Sequence, residues 1–66
     1  MKYRVILTNF DYDIYFGYSF EEAIEKAEKA GFEAALERFN DGVLTGLWYY
    51  GSIGGWNVNP RRELAA

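Results

Sequence analysis

The stretch "FEAALERFNDGVLTGLWYY", Phe32 to Tyr50, decides the fold, because its first half fits two structures. By composition "FEAALERF" is helical, and Phe32, Ala35, Leu36 and Phe39 fall on a 3.6-residue period. The residues after it favour a strand. "FNDGV" carries the residues of a type I turn followed by a glycine in the left-handed region, a common three-residue hairpin connection. Val43 to Tyr50 is rich in the aromatic and branched residues of strands. A hairpin requires a strand before its turn, so Glu33 to Phe39 is assigned as β, with tertiary pairing overriding local propensity; a second helix is the competing assignment.

Towards the N-terminus the pattern is plainer. Ser19, with Glu22 three residues on, forms a capping box in which each side chain satisfies an unpaired N–H at a helix start. Phe20, Ala23, Ile24 and Ala27 then make one apolar stripe. Glu22 with Lys26 and Glu25 with Lys29 lie four residues apart on the solvated face. Gly31 ends the helix in a left-handed conformation, from which Phe32 can fold back onto Ala27. Before the helix, Lys2 to Thr8 and Ile14 to Tyr18 alternate as strands around a turn, Asn9 to Asp13, rich in Asn and Asp. The order is ββαββ. It predicts an α+β fold, a four-stranded antiparallel sheet with one helix packed on one face and the other face open. Residues 1–59 form a single domain, and Pro60, the only proline, opens a C-terminal tail of residues 60–66. Its ending, Leu64-Ala65-Ala66, resembles the bacterial degradation tag read by unfoldases.

Sixty-six residues give a small core, and with no cysteine no disulfide can supplement it. Five Phe, six Tyr and two Trp are more rings than such a core can hide, so some must be exposed or buried against another molecule, and a homo-oligomer is expected. The net charge of −3, from ten acidic and seven basic residues, argues against nucleic acid as a partner. No apolar run reaches the roughly 18 residues of a membrane span, and "MKYRVILTNF" lacks the features of a signal peptide. A cytoplasmic setting without membrane attachment is expected.

Enzyme chemistry finds few residues to use. Without His or Cys there is no Ser-His-Asp triad, no Cys-His pair and no zinc site of the usual kind. Asp11, Asp13, Glu33 and Glu37 read as solvated turn and surface carboxylates. "NFDYD" spaces Asn9, Asp11 and Asp13 as a calcium loop begins, but Ile14 and Phe20 stand where that loop needs Gly and Glu. "GSIGG" matches no phosphate-loop pattern; Gly54 and Gly55 could still turn their N–H groups into an anion nest, against the plainer assignment of a turn. No catalytic residue, metal or cofactor is assigned.

The binding residues are read from the last strand. Val43, Thr45, Leu47 and Tyr49 face one way and Leu44, Gly46, Trp48 and Tyr50 the other. The second set is placed on the open face, with Gly46 leaving a gap beside Trp48. Trp48, Tyr50 and Trp56, with Arg61 and Arg62 close behind, are the residue types that dominate binding surfaces.

"SFEEAIEKAEKAGFEAALER", the "NDG" turn and the aromatic strand closed by "GSIGGW" together resemble small uncharacterised accessory proteins of bacterial viruses, with a capped helix ending Gly-Phe, a hairpin and a terminal Gly-Trp. "EAALER" departs from the β-rich segment expected there. The resemblance spans residues 3 to 56 and implies a protein that acts in the host cytoplasm by binding a host component, as an inhibitor of antiviral defence or other machinery. Two alternatives stand beside it. One is an oligomeric sponge for a nucleotide second messenger, with Trp or Tyr stacked on the base and Gly54, Gly55, Arg61 or Arg62 on phosphate. The other is a structural component of a larger assembly.

Overall fold

A computed structural model describes residues 1–64. The chain is α+β, with strands β1 (Lys2–Leu7), β2 (Tyr12–Gly17), β3 (Ala34–Asn40), β4 (Val43–Gly51) and β5 (Gly55–Trp56), and helices α1 (Phe20–Lys29) and α2 (Arg61–Leu64). The sheet is antiparallel throughout, in the order β2-β1-β3-β4-β5. Its five strands correct the expected four. β5 has no sequence signature because two residues carry no periodicity; it forms because Ser52-Ile53-Gly54 turns the chain back, pairing Tyr50 with Trp56 and Gly51 with Gly55. Asn57 extends the pairing, its N–H donating to the Tyr49 carbonyl and its side-chain oxygen accepting from the Tyr49 N–H.

"AALERFN" is a strand, and a central one, with β1 on one side and β4 on the other. Leu36 pairs with Val5 and with Trp48, and Val5 pairs with Tyr15, so one row of large side chains crosses four strands under the helix. Val5 and Leu36 are fully buried, as is Ile24 of α1, which packs with Ala23 and Ala27 against this row. Phe20 closes one end, stacked on Tyr3 at 4.8 Å and tilted against Trp48 at 5.2 Å.

The helix begins as its sequence requires, with one difference. The Glu22 N–H donates to Ser19 Oγ at 3.1 Å. The Ser19 N–H, which a full capping box would give to the Glu22 carboxylate, instead donates to the Tyr15 hydroxyl at 3.1 Å, so the cap is tied to the sheet. Gly31 ends the helix with φ +77, and Phe32 packs edge-on against Phe10 at 5.1 Å. The β3–β4 hairpin is tighter than expected. Asn40 pairs with Val43, and both intervening residues, Asp41 and Gly42, have positive φ, the arrangement of a two-residue type I′ turn.

Register shifts break the strict alternation assumed for the strands. In β4, Phe39 pairs with Leu44 while Glu37 pairs with Leu47, so Leu44 joins Leu47 and Tyr49 on the same face. Trp48 lies on the opposite face, under the helix, and is 6% exposed. Its assignment to the open face is therefore corrected. The gap expected at Gly46 is filled by the Trp48 ring itself, since a Cβ on Gly46 would lie 2.5 Å from Trp48 Cη2.

The segment after Pro60, read from sequence as a tail, forms the short helix α2, whose four residues are exposed. Pro60 is fully buried, and α2 starts on Asn59, whose side-chain oxygen accepts from the Arg61 N–H. Of the Leu64-Ala65-Ala66 ending, Ala65 and Ala66 lie outside the described residues. Among the described residues no helix is long and apolar enough to cross a membrane.

Trp48→Ala should cost about 3–5 kcal/mol, the usual loss for a buried aromatic, whereas Tyr49→Ala, one residue away on the other face, should cost about 1 kcal/mol or less. Urea melts followed by circular dichroism check both; equal losses would contradict the face assignment.

Candidate functional site

Two of the residues singled out in the sequence, Trp56 and Arg61, meet at Glu28 of α1. Trp56 Nε1 donates to Glu28 Oε2 at 2.9 Å, and Arg61 grips both carboxylate oxygens, Nη1 at 2.6 Å and Nη2 at 2.7 Å. Tyr50 packs edge-on against Trp56 at 5.0 Å. This cluster fastens β5 and α2 to α1. The hydrogen bond from Arg61 holds the Glu28 carboxyl below its ordinary 4.5, with the Trp56 bond acting in the same sense and burial opposing both. Arg61 is thus engaged by a carboxylate, while Arg62 is exposed.

The glycine loop is also ill placed for an anion. Gly54 is exposed and Gly55 sits in β5 with φ +76. The charged group beside it is negative: Ser52 Oγ donates to Glu33 Oε1 at 3.4 Å, and a Cβ on Gly51 would lie 3.1 Å from Glu33 Oε2. A carboxylate at the mouth of the loop opposes phosphate there. Trp48, Trp56, Arg61 and the glycines are not brought into one exposed surface.

The open face of the sheet carries a different set. Phe16, Arg4, Glu37 and Leu47 form one cross-strand row, Asp13, Ile6, Ala35 and Tyr49 the next, and Lys2, Phe39 and Leu44 a third towards the β3–β4 turn. No helix covers them. Phe16 is 60% exposed, Tyr49 50%, Leu44 47% and Leu47 40%. At the centre Arg4 Nε donates to Glu37 Oε1 at 2.6 Å, and both side chains are partly shielded by their apolar neighbours. That hydrogen bond raises the Arg4 pKa above its ordinary value, so the guanidinium is a permanent cation. Sequence reasoning missed this surface because it chose the wrong face of β4. The available signal was the run Lys2, Arg4, Ile6 beside Ala35, Glu37, Phe39, a polar-apolar mixture on alternate positions of two central strands.

Among the described residues no cluster of three or more His, Cys, Asp or Glu could hold a metal ion. No protein family, curated protein or solved structure matches the chain.

Acidification should weaken the Glu28 cluster with a definite sign. Because the folded pKa is depressed, the stabilisation is present above 4.5 and is lost as pH falls below it through the folded value. Arg61 is about half exposed, so the effect is expected to stay near 1 kcal/mol or less. Melting temperature measured against pH should show a component between roughly pH 5 and pH 3, where carboxylates titrate, that is absent in Glu28→Gln. An unchanged profile in that variant would remove Glu28 from the account.

Proposed function

We propose that the chain is a binding protein that acts by contact, with the open sheet face as its contact surface and a protein of a bacterial host as its target. The observation that supports this is the uncovered face itself. Phe16, Leu44, Leu47 and Tyr49 lie exposed on a sheet whose other face is filled by α1. Exposed apolar patches rimmed by polar residues mark interaction sites. The overall extents of 30 × 25 × 16 Å make this slab broad and thin. The host target follows from the resemblance of the helix, turn and Gly-Trp motifs to accessory proteins of bacterial viruses; inhibition is what contact without chemistry can deliver.

The contact residues differ from those first read in the sequence. Tyr49, Leu47 and Phe16 replace Trp48, which is structural, and Trp56 and Arg61, which hold the fold together through Glu28. A photo-reactive side chain at Tyr49 should cross-link one discrete protein in bacterial lysate, and the same group at Glu25, on the exposed side of α1, should not. Leu47→Glu should abolish the cross-link while leaving the circular dichroism spectrum unchanged. Equal labelling from both positions, or capture that survives Leu47→Glu, would overturn the assignment.

A further inference from the structure

One end of the open face forms a cleft of about 450 Å³, lined by Lys2, Arg4, Phe16, Tyr18, Phe39 and the turn residues Asn40 to Gly42. Its volume falls within the roughly 300–1,000 Å³ of small-molecule sites. Its composition sets it apart from the rest of the chain. The protein carries a net charge of −3, yet the charged side chains lining this cleft are two cations, Lys2 and Arg4, and one carboxylate, Asp41.

The Lys2 ammonium stands 5.2 Å from the Phe16 ring centroid and 5.7 Å from that of Tyr18. It makes no ion pair among the described residues, where the two ion pairs are Arg4 with Glu37 and Arg61 with Glu28. The two rings attract the ammonium without neutralising its charge. Arg4 spends Nε on Glu37, which leaves the two terminal nitrogens of its guanidinium as donors, in the fork that matches phosphate oxygens. Beside these cations the rings of Phe16 and Tyr18 are 60% and 75% exposed.

We propose that this cleft binds a planar aromatic ring bearing a phosphate, a ligand of the nucleoside monophosphate class. The ring stacks on Phe16 or Tyr18, and the phosphate lies between the Lys2 ammonium and the free edge of the Arg4 guanidinium. Asn40 at the rim offers an amide that can donate or accept at the ring edge. This placement differs from the glycine loop, where Glu33 repels an anion and Arg61 is held by Glu28. It shares Phe16 and Arg4 with the open face but not Tyr49, which pairs with Ala35 in another cross-strand row.

Adenosine 5′-monophosphate is the probe, followed by amide and side-chain NMR shifts on the whole chain, with adenosine and inorganic phosphate as separate controls. Saturable shifts should map to Lys2, Arg4, Phe16, Tyr18 and Phe39. Affinity should exceed that of either control by about tenfold or more, because stacking and charge contribute together. Lys2→Gln, at an exposed position, should weaken the nucleotide to the level of adenosine, and raised salt should do the same in the unaltered chain. Binding no tighter than phosphate alone would identify an adventitious anion only and overturn the proposal. Shifts that map to Ser52 to Gly55, or that persist in Lys2→Gln, would overturn it equally. Tyr49→Ala should leave nucleotide affinity unchanged, so failure here and failure of the protein contact are separately visible.

Discussion

The structure depends on Leu36 being clamped between Val5 and Trp48. Those two pairings put a segment of helical composition at the centre of the sheet, between β1 and β4, where its N–H and C=O groups find partners on both sides. Helix propensity in "AALER" favours a helix by only a few tenths of a kcal/mol per residue. Burying the Leu36 side chain alone contributes about 1.5–3 kcal/mol, and the two ladders satisfy backbone groups that would otherwise be desolvated without partners. The strand wins because it forms two ladders at once, closing a hairpin with β4 and joining it to β1. Were β3 to leave, β1–β2 and β4–β5 would be isolated ribbons, and two-stranded ribbons are marginal in water.

The same row decides which face is which. A helix of ten residues can cover only part of a five-stranded sheet, and α1 lies over the part where the row Tyr15, Val5, Leu36 and Trp48 is bulkiest. Gly46 lets the Trp48 ring lie flat against its own strand, and Arg38 sits with Cζ 5.2 Å from the Trp48 ring, covering the end that the helix does not reach. Once Trp48 is committed inward, Leu47 and Tyr49 must face outward. The exposed face is thus a consequence of core packing and not a separate feature of the sequence.

This explains how much could be read beforehand. The capped helix, both hairpins and the strand at 34–40 were legible because each carries a local pattern or a turn that demands a partner. The two sides of β4 were not, since both alternate sets contain large aromatics and only the cross-strand row with Leu36 breaks the tie. The register shift at Arg38/Phe39 adds a further step, moving Leu44 to the side of Leu47. β5 escaped notice because it is two residues long, and the roles of Trp56 and Arg61 escaped because Glu28 lies 28 and 33 residues away in the chain. Long-range ion pairs leave no periodic trace. Residue types that commonly dominate interfaces are here spent on holding a small fold closed, which is a hazard of reading Trp and Arg as binding residues in any chain this short.

The Arg4–Glu37 pair constrains what can cover the open face. It sits at the centre of the apolar surface, on the adjacent strands β1 and β3, and is already partly desolvated. A partner presenting only apolar groups would strip the remaining water from both charges without replacing its hydrogen bonds, a cost that can exceed the gain from area. A partner with a donor set against Glu37 or an acceptor set against Arg4 avoids that cost, so the pair selects for complementary polarity at the middle of an otherwise greasy contact. It also guards against indiscriminate stacking of one sheet on another. The surface therefore combines an apolar surround with a polar centre, and that centre comes from two side chains in adjacent strands whose pairing the fold itself dictates.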